Sequence, residues 1–236
     1  MCLWVPKSTT SSADWSDGGC RDDSRRRFAV ADGATRRSFA SNYWAHHLVQ
    51  RLVDDDRALD SDTLQAWCDE TCKSWLQFRR FATTDHMKRN FDRGSFAALL
   101  GVVLEPSDGK AFDLRGVSVG DCNLFRIRDH DLVTAWPSEG SGQFNSIPLL
   151  YGSMKESTLR EHFQWITLKG LTAGDVLLLC SDELAKWALR MQENGTSVWS
   201  ELGVITQSGL TRLAQDLRDE RKMDADDIVL MQIRIV

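Results

Sequence analysis

The chain has 236 residues, 42% of them hydrophobic, with 16 glycines, 4 prolines and a formal net charge of -5 from 29 basic and 34 acidic side chains. That is apolar material for one sizeable core, near the upper end for a single domain, so residues 1–236 are read as one domain. The acidic balance argues against nucleic acid as a partner, no basic start with an apolar run marks a secretory leader, and the longest apolar stretch, "FAALLGVVL", is too short to span a bilayer.

In chain order, residues 8–27, "STTSSADWSDGGCRDDSRRR", are polar and turn-rich and read as a loop. A short strand follows over 27–31. From position 38 the stripe Phe39, Trp44, Leu48, Leu52 predicts an amphipathic helix. A second helix starts near Asp62, with Gln65 placed as in a capping box and a core stripe of Leu64, Cys68, Thr71, Trp75 and Phe78. The period then changes. "SFAALLGVVLE", "AFDLRGVSVG", "NLFRIRD" and "LVTAW" are strand-like runs between turn signals and read as an antiparallel meander. "FQWITLK" and "DVLLLCS" add two strands, helical patterns cover about 184–192 and 210–221, and "DIVLMQIRIV" closes as a strand. Strands with helices inserted at separate points give an α+β layered domain.

Six cysteines (Cys2, Cys20, Cys68, Cys72, Cys122, Cys180) form no C-x-x-C pair, and no His cluster has zinc-like spacing. They read as small hydrophobes in a reduced, cytoplasmic protein. The acids are more informative. "FAVAD" ends in Asp32, "GVSVGD" in Asp121 and "VLLLCSD" in Asp182, while Asp226 and Asp227 precede the last strand. A strand-end Asp also serves as a turn cap. If these ends gather, however, the carboxylates repel unless a cation sits among them. An all-oxygen donor set suits magnesium or manganese, and two such ions can activate water and clamp a phosphoryl group. "FAVADGAT" is also superficially like the strand end of haloacid-dehalogenase-type phosphatases, but their nucleophilic Asp would stand where Val30 is.

The order "FAVADGAT" … "GVSVGDC" … "LTAGDVLLLCSDELAKW" … "DADDIVLMQIRI" resembles the metal-dependent protein serine/threonine phosphatases of type 2C over almost the whole chain. "RFAVADGATRRSFASNYWAHHLV" and "PSEGSGQFNSIPLLYGS" further resemble a compact bacterial branch, often found beside a kinase and a von Willebrand A-type protein. The resemblance implies a central sandwich of two antiparallel β-sheets flanked by α-helices, with metals at one end. It implies hydrolysis of phosphoserine or phosphothreonine in a phosphoprotein by a metal-bridging hydroxide at a binuclear manganese or magnesium site. By position, Asp32 would bridge the metals, Gly33 would ligate through its carbonyl, and Asp182 and Asp226 would complete the site. The upstream acid is Asp14, with Asp17 the alternative, and Asp121 would lie near a third, weaker metal.

There are departures. Ala34 stands where many relatives have His, Glu183 turns "SDG" into "SDE", and the family's phosphate-binding Arg is missing, leaving Lys7, Arg36 and Arg37 as cations. Lys186 replaces an acid four residues past Asp182, so its ammonium either swings toward Asp182 or points to solvent, and a third site is expected empty. From a different class, the alternative is a phosphatase-like binding or regulatory module without turnover.

Overall fold

The computed structural model describes residues 1–7, 15–34, 40–144, 148–154 and 160–236, with the side chains of Asp56 and Arg160 outside that description. Its architecture follows from strands buried on both faces. In "FAVA", now part of β3 (Arg27–Gly33), Phe28 and Val30 point between the sheets while Ala29 and Ala31 point to the helices. In β11 (Ile228–Arg234), Ile228 and Leu230 face helices, and Val229 and Met231 face the other sheet. Such strands show continuous apolar runs instead of alternation.

One sheet has the order β1 (Cys2–Val5), β11, β10 (Val176–Cys180), β6 (Asn123–Arg128), β7 (Asp131–Trp136). The other runs β2 (Gly18–Asp22), β3, β4 (Phe96–Pro106), β5 (Phe112–Val119), β9 (Gln164–Leu171), with the short β8 (Tyr151–Gly152) beside β4. All these pairings are antiparallel. Helices α1 (Ser41–Asp54), α2 (Leu64–Leu76) and α3 (Asp85–Asp92) cover the second sheet through Trp44, Leu48, Trp67, Trp75 and Phe91. Helices α4 (Asp182–Glu193), α5 (Trp199–Leu202) and α6 (Gln207–Asp219) cover the first through Leu184, Trp199 and Leu210. The result is an α+β sandwich of four layers, helix–sheet–sheet–helix.

Several local readings change. The four runs from β4 to β7 are not one meander: β4 and β5 lie in one sheet, β6 and β7 in the other. The chain crosses at Gly120, where φ is +91° and a Cβ would come 2.5 Å from the Cβ of Ala98, so only glycine fits. The supposed loop 8–27 contains β2, paired with β3 from Gly18↔Ala31 to Asp22↔Arg27. Strand β1 and helix α3 have no counterpart among the expectations. α1 begins at Ser41, and Phe39 lies outside the described residues. The capping box fails: Thr63 precedes α2, and the Gln65 amide donates to Asp69 at 3.1 Å. Phe78 falls beyond α2 and is partly exposed. All six cysteines are free thiols.

Candidate metal centre

Strand direction gathers the acids. β3 and β5 both run antiparallel to β4, so Asp32 and Asp121 reach the same edge of their sheet. In the facing sheet β10 is antiparallel to β11, so Asp182, two residues past β10, lies beside the start of β11, which Asp226 and Asp227 precede. Ser181 pins this corner: its N–H donates to the Val229 carbonyl at 3.2 Å, and its hydroxyl accepts from the Val229 N–H at 3.1 Å. Gly33 is demanded by close approach, since a Cβ would stand 2.6 Å from the Ser16 carbonyl and 2.8 Å from that of Ser41. The end of β3 is thereby held against the backbone of Ser16, next to Asp17.

Asp32, Asp121 and Asp182 each present a carboxylate oxygen within 4.8 Å of the others. At that separation ionised carboxylates repel unless a proton or a cation sits among them. Burial first, then the neighbouring carboxylates, pushes Asp32 and Asp17 well above the usual carboxylate range. Burial and the charges of Asp121, Glu183 and Asp226 raise Asp182 to about 7, and burial raises Asp121 to about 6. The nearby Ser181 side chain offsets part of the rise at Asp17, while the buried Asp17 Oδ2 has no partner. An orphaned buried carboxylate oxygen facing several others is a donor set completed by a hard divalent cation. Of the upstream acids, Asp17 is therefore in the cluster, and Asp14 lies outside the described residues, as do Arg36 and Arg37.

Other residues position these ligands. The fully buried Asp227 accepts from the Ser16 N–H (2.8 Å), the Ser16 hydroxyl (2.6 Å) and the Lys7 N–H (2.7 Å). Lys7 Nζ lies 3.6 Å from the same carboxylate, so this cation is committed to structure. Arg218 on α6 donates to the carbonyls of Pro6 and Asp226, tying the chain beyond β1 to the turn before β11. Glu183 accepts from the Asp224 N–H at 3.2 Å through Oε2 and stands 3.6 Å from Lys186 Nζ through Oε1. Lys186 thus pairs with Glu183 and not with Asp182. The doublet Asp226-Asp227 was visible in the sequence as two acids. That the second anchors the segment bearing Asp17 depends on contacts more than 200 residues apart.

No protein-family model matches the sequence, and no curated protein matches it. Solved structures do. The catalytic domain of the serine/threonine phosphatase PstP in complex with two manganese ions is similar at a TM-score of 0.63 and 15% identity, over 100% of this chain and 98% of that one. The phosphatase MsPP from Mycobacterium smegmatis, in complex with cacodylate, is similar at 0.62 and 15% identity, over 100% and 98%. The photosystem II phosphatase PBCP is similar at 0.60 and 15% identity, over the same shares. The fold is that of the type 2C protein serine/threonine phosphatases.

Proposed function

We propose that the whole chain is one phosphatase domain that hydrolyses phosphoserine or phosphothreonine in a phosphoprotein, using two manganese or magnesium ions. The observation that carries this reading is the half-buried cluster of Asp32, Asp121 and Asp182, with the buried, unpartnered Asp17 Oδ2 and the carboxylate of Asp226 close enough to act on its charges. Asp32, Asp182, Asp226 and the Gly33 carbonyl would hold the ions, with Asp17 beside them. When bound, such ions supply an activated water and offset charge on the phosphoryl oxygens. The chain itself orients the donors: Asp227 and Ser16 set the backbone before Asp17, and Ser181 fixes the start of α4. Burial and mutual repulsion favour protonated carboxylates here in the absence of a cation, so ion binding would displace protons.

The departures weigh less once Glu183 is seen holding Asp224, since its carboxylate has a local task beside the centre. A cytoplasmic signalling role, opposing a partner kinase and acting with a von Willebrand A-type protein, fits the sequence resemblance. Purified protein should release phosphate from phosphoserine or phosphothreonine peptides with manganese and stop in chelator. No metal-stimulated hydrolysis across a broad peptide panel would favour a binding module instead.

A further inference from the structure

Beside the acid cluster, across Glu183, lies a groove of about 100 Å3 between α4 and the turn that follows α6. Its wall is shared with the centre: Glu183 follows Asp182 directly, and the Asp226 N–H donates to the Asp224 carbonyl at 3.0 Å. Four cations line it, Lys186, Arg190, Arg221 and Lys222, against the acids Glu183 and Asp224. Lys186 is paired with Glu183, and Lys222 with Glu220 at 2.6 Å outside the groove. Arg190 donates to the Lys222 carbonyl, which leaves its charge uncompensated. Among the described residues, Arg190 and Arg221 have no carboxylate at ion-pair distance.

The position of Arg221 is unusual. It has φ +56°, and the bonds from its N–H to the Arg218 carbonyl (3.0 Å) and from the Lys222 N–H to the Leu217 carbonyl (2.8 Å) close α6 in the manner that favours glycine. An arginine stands there at a conformational cost, exposed at the edge of a groove that opens beside the centre.

We propose that this groove is a subsite for one anionic side chain, a carboxylate or a second phosphoryl group, flanking the phosphorylated residue of the substrate. The proposal rests on the phosphatase reading for its role and on the groove's own charge for its ligand. The groove has room for one such group. The nearby cations attract it, while Glu183, already neutralised by Lys186 and the Asp224 N–H, opposes it least.

Three manganese-assayed phosphopeptides test it: one with neutral flanks, one with Asp and Glu flanks, and one doubly phosphorylated. The native chain should prefer the anionic peptides by about fivefold in kcat/KM, the scale of a few exposed ion pairs. The preference should fade in about 0.5 M salt. Arg221→Gly suits the left-handed position, so it should fold at least as well, keep turnover of the neutral peptide and of an aryl phosphate, and reduce the preference below about twofold. Arg221→Glu should reduce it further. A gain confined to Asp and Glu flanks, or to the second phosphate, identifies which anion the groove takes. No preference in the native chain, or full preference in Arg221→Gly, overturns the proposal. Should no phosphopeptide turn over, the phosphatase reading fails by itself. Fluorescence anisotropy of a labelled, unphosphorylated acidic peptide then decides the subsite, with binding weakened by Arg221→Glu supporting it and no or unchanged binding overturning it.

Discussion

A buried carboxylate oxygen without a partner is destabilising, and Asp17 Oδ2 is one surrounded by other acids. Asp17→Asn removes one charge from that crowd. Melting of the metal-free protein near neutral pH should therefore rise, while manganese affinity falls by about tenfold or more. Asp14→Asn should do neither. Thermal melts with and without manganese separate the cases, and a lower metal-free melting point for Asp17→Asn with an intact manganese shift would contradict the assignment. In the sequence Asp14 and Asp17 are alike, two acids in one polar stretch. What distinguishes Asp17 is its place before β2 and the grip of Asp227 on Ser16. By contrast Asp32, Asp121 and Asp182, which the structure brings together, each stand at the end of an apolar run in the sequence. Cys180→Ser, in a strand facing α4, should leave turnover largely intact, as its thiol is fully buried and pushed up by burial and Asp182. Abolished phosphatase turnover in that variant would indicate different chemistry.

Strands with strong apolar patterns could be read; how they assemble could not. β2 reads "GGCRD", with two glycines and two charges, and takes extended form because β3 supplies its ladder. The runs from β4 to β7 carry correct strand and turn signals, yet local signals do not say which sheet a strand joins. Gly120, not a hairpin, sends the chain across. β10 also depends on a contact between neighbours. At its start the buried Asp175 accepts from Arg126 (2.9 Å), from Arg128 (2.8 and 2.7 Å) and from the Thr172 N–H (2.9 Å). Burial alone would raise its pKa, but Arg128 and Arg126 outweigh that and hold it below the usual range. A lowered native pKa contributes stability that is present above the unfolded value and lost as pH falls through the native one. Asp175→Ala leaves Arg126 buried without its partner and should cost about 3 kcal/mol. Urea denaturation at neutral pH measures this, and a cost below about 1 kcal/mol would show the cluster to be incidental.

At the scale of the molecule, four layers bring acids from opposite sheets to one end. Asp121 near 6, Asp182 near 7, and Asp17 and Asp32 well above the usual range give the metal-free native state more bound protons than the unfolded chain. Their contribution is therefore fully present below about pH 4 and lost as pH rises past about 7, so the acids oppose the metal-free fold at neutral pH. Manganese bound among these acids would replace those protons. Its stabilising effect should grow between about pH 5.5 and pH 8, read as the difference in melting point with and without the ion. A constant or shrinking difference would mean the ion binds elsewhere. Lys186, paired to Glu183 one residue after Asp182, adds a positive charge near this end. The α+β class was readable from the spacing of apolar runs, whereas the split into two sheets depended on pairings far apart in the chain. The central claim, that these acids form a binuclear cation site, is tested most directly by manganese anomalous diffraction from crystals of this chain soaked in the ion. Two strong peaks sharing Asp32 are expected, with Asp182, Asp226 and the Gly33 carbonyl around them, and no third full peak beside Asp121. An absence of anomalous density among these acids at saturating manganese would contradict it.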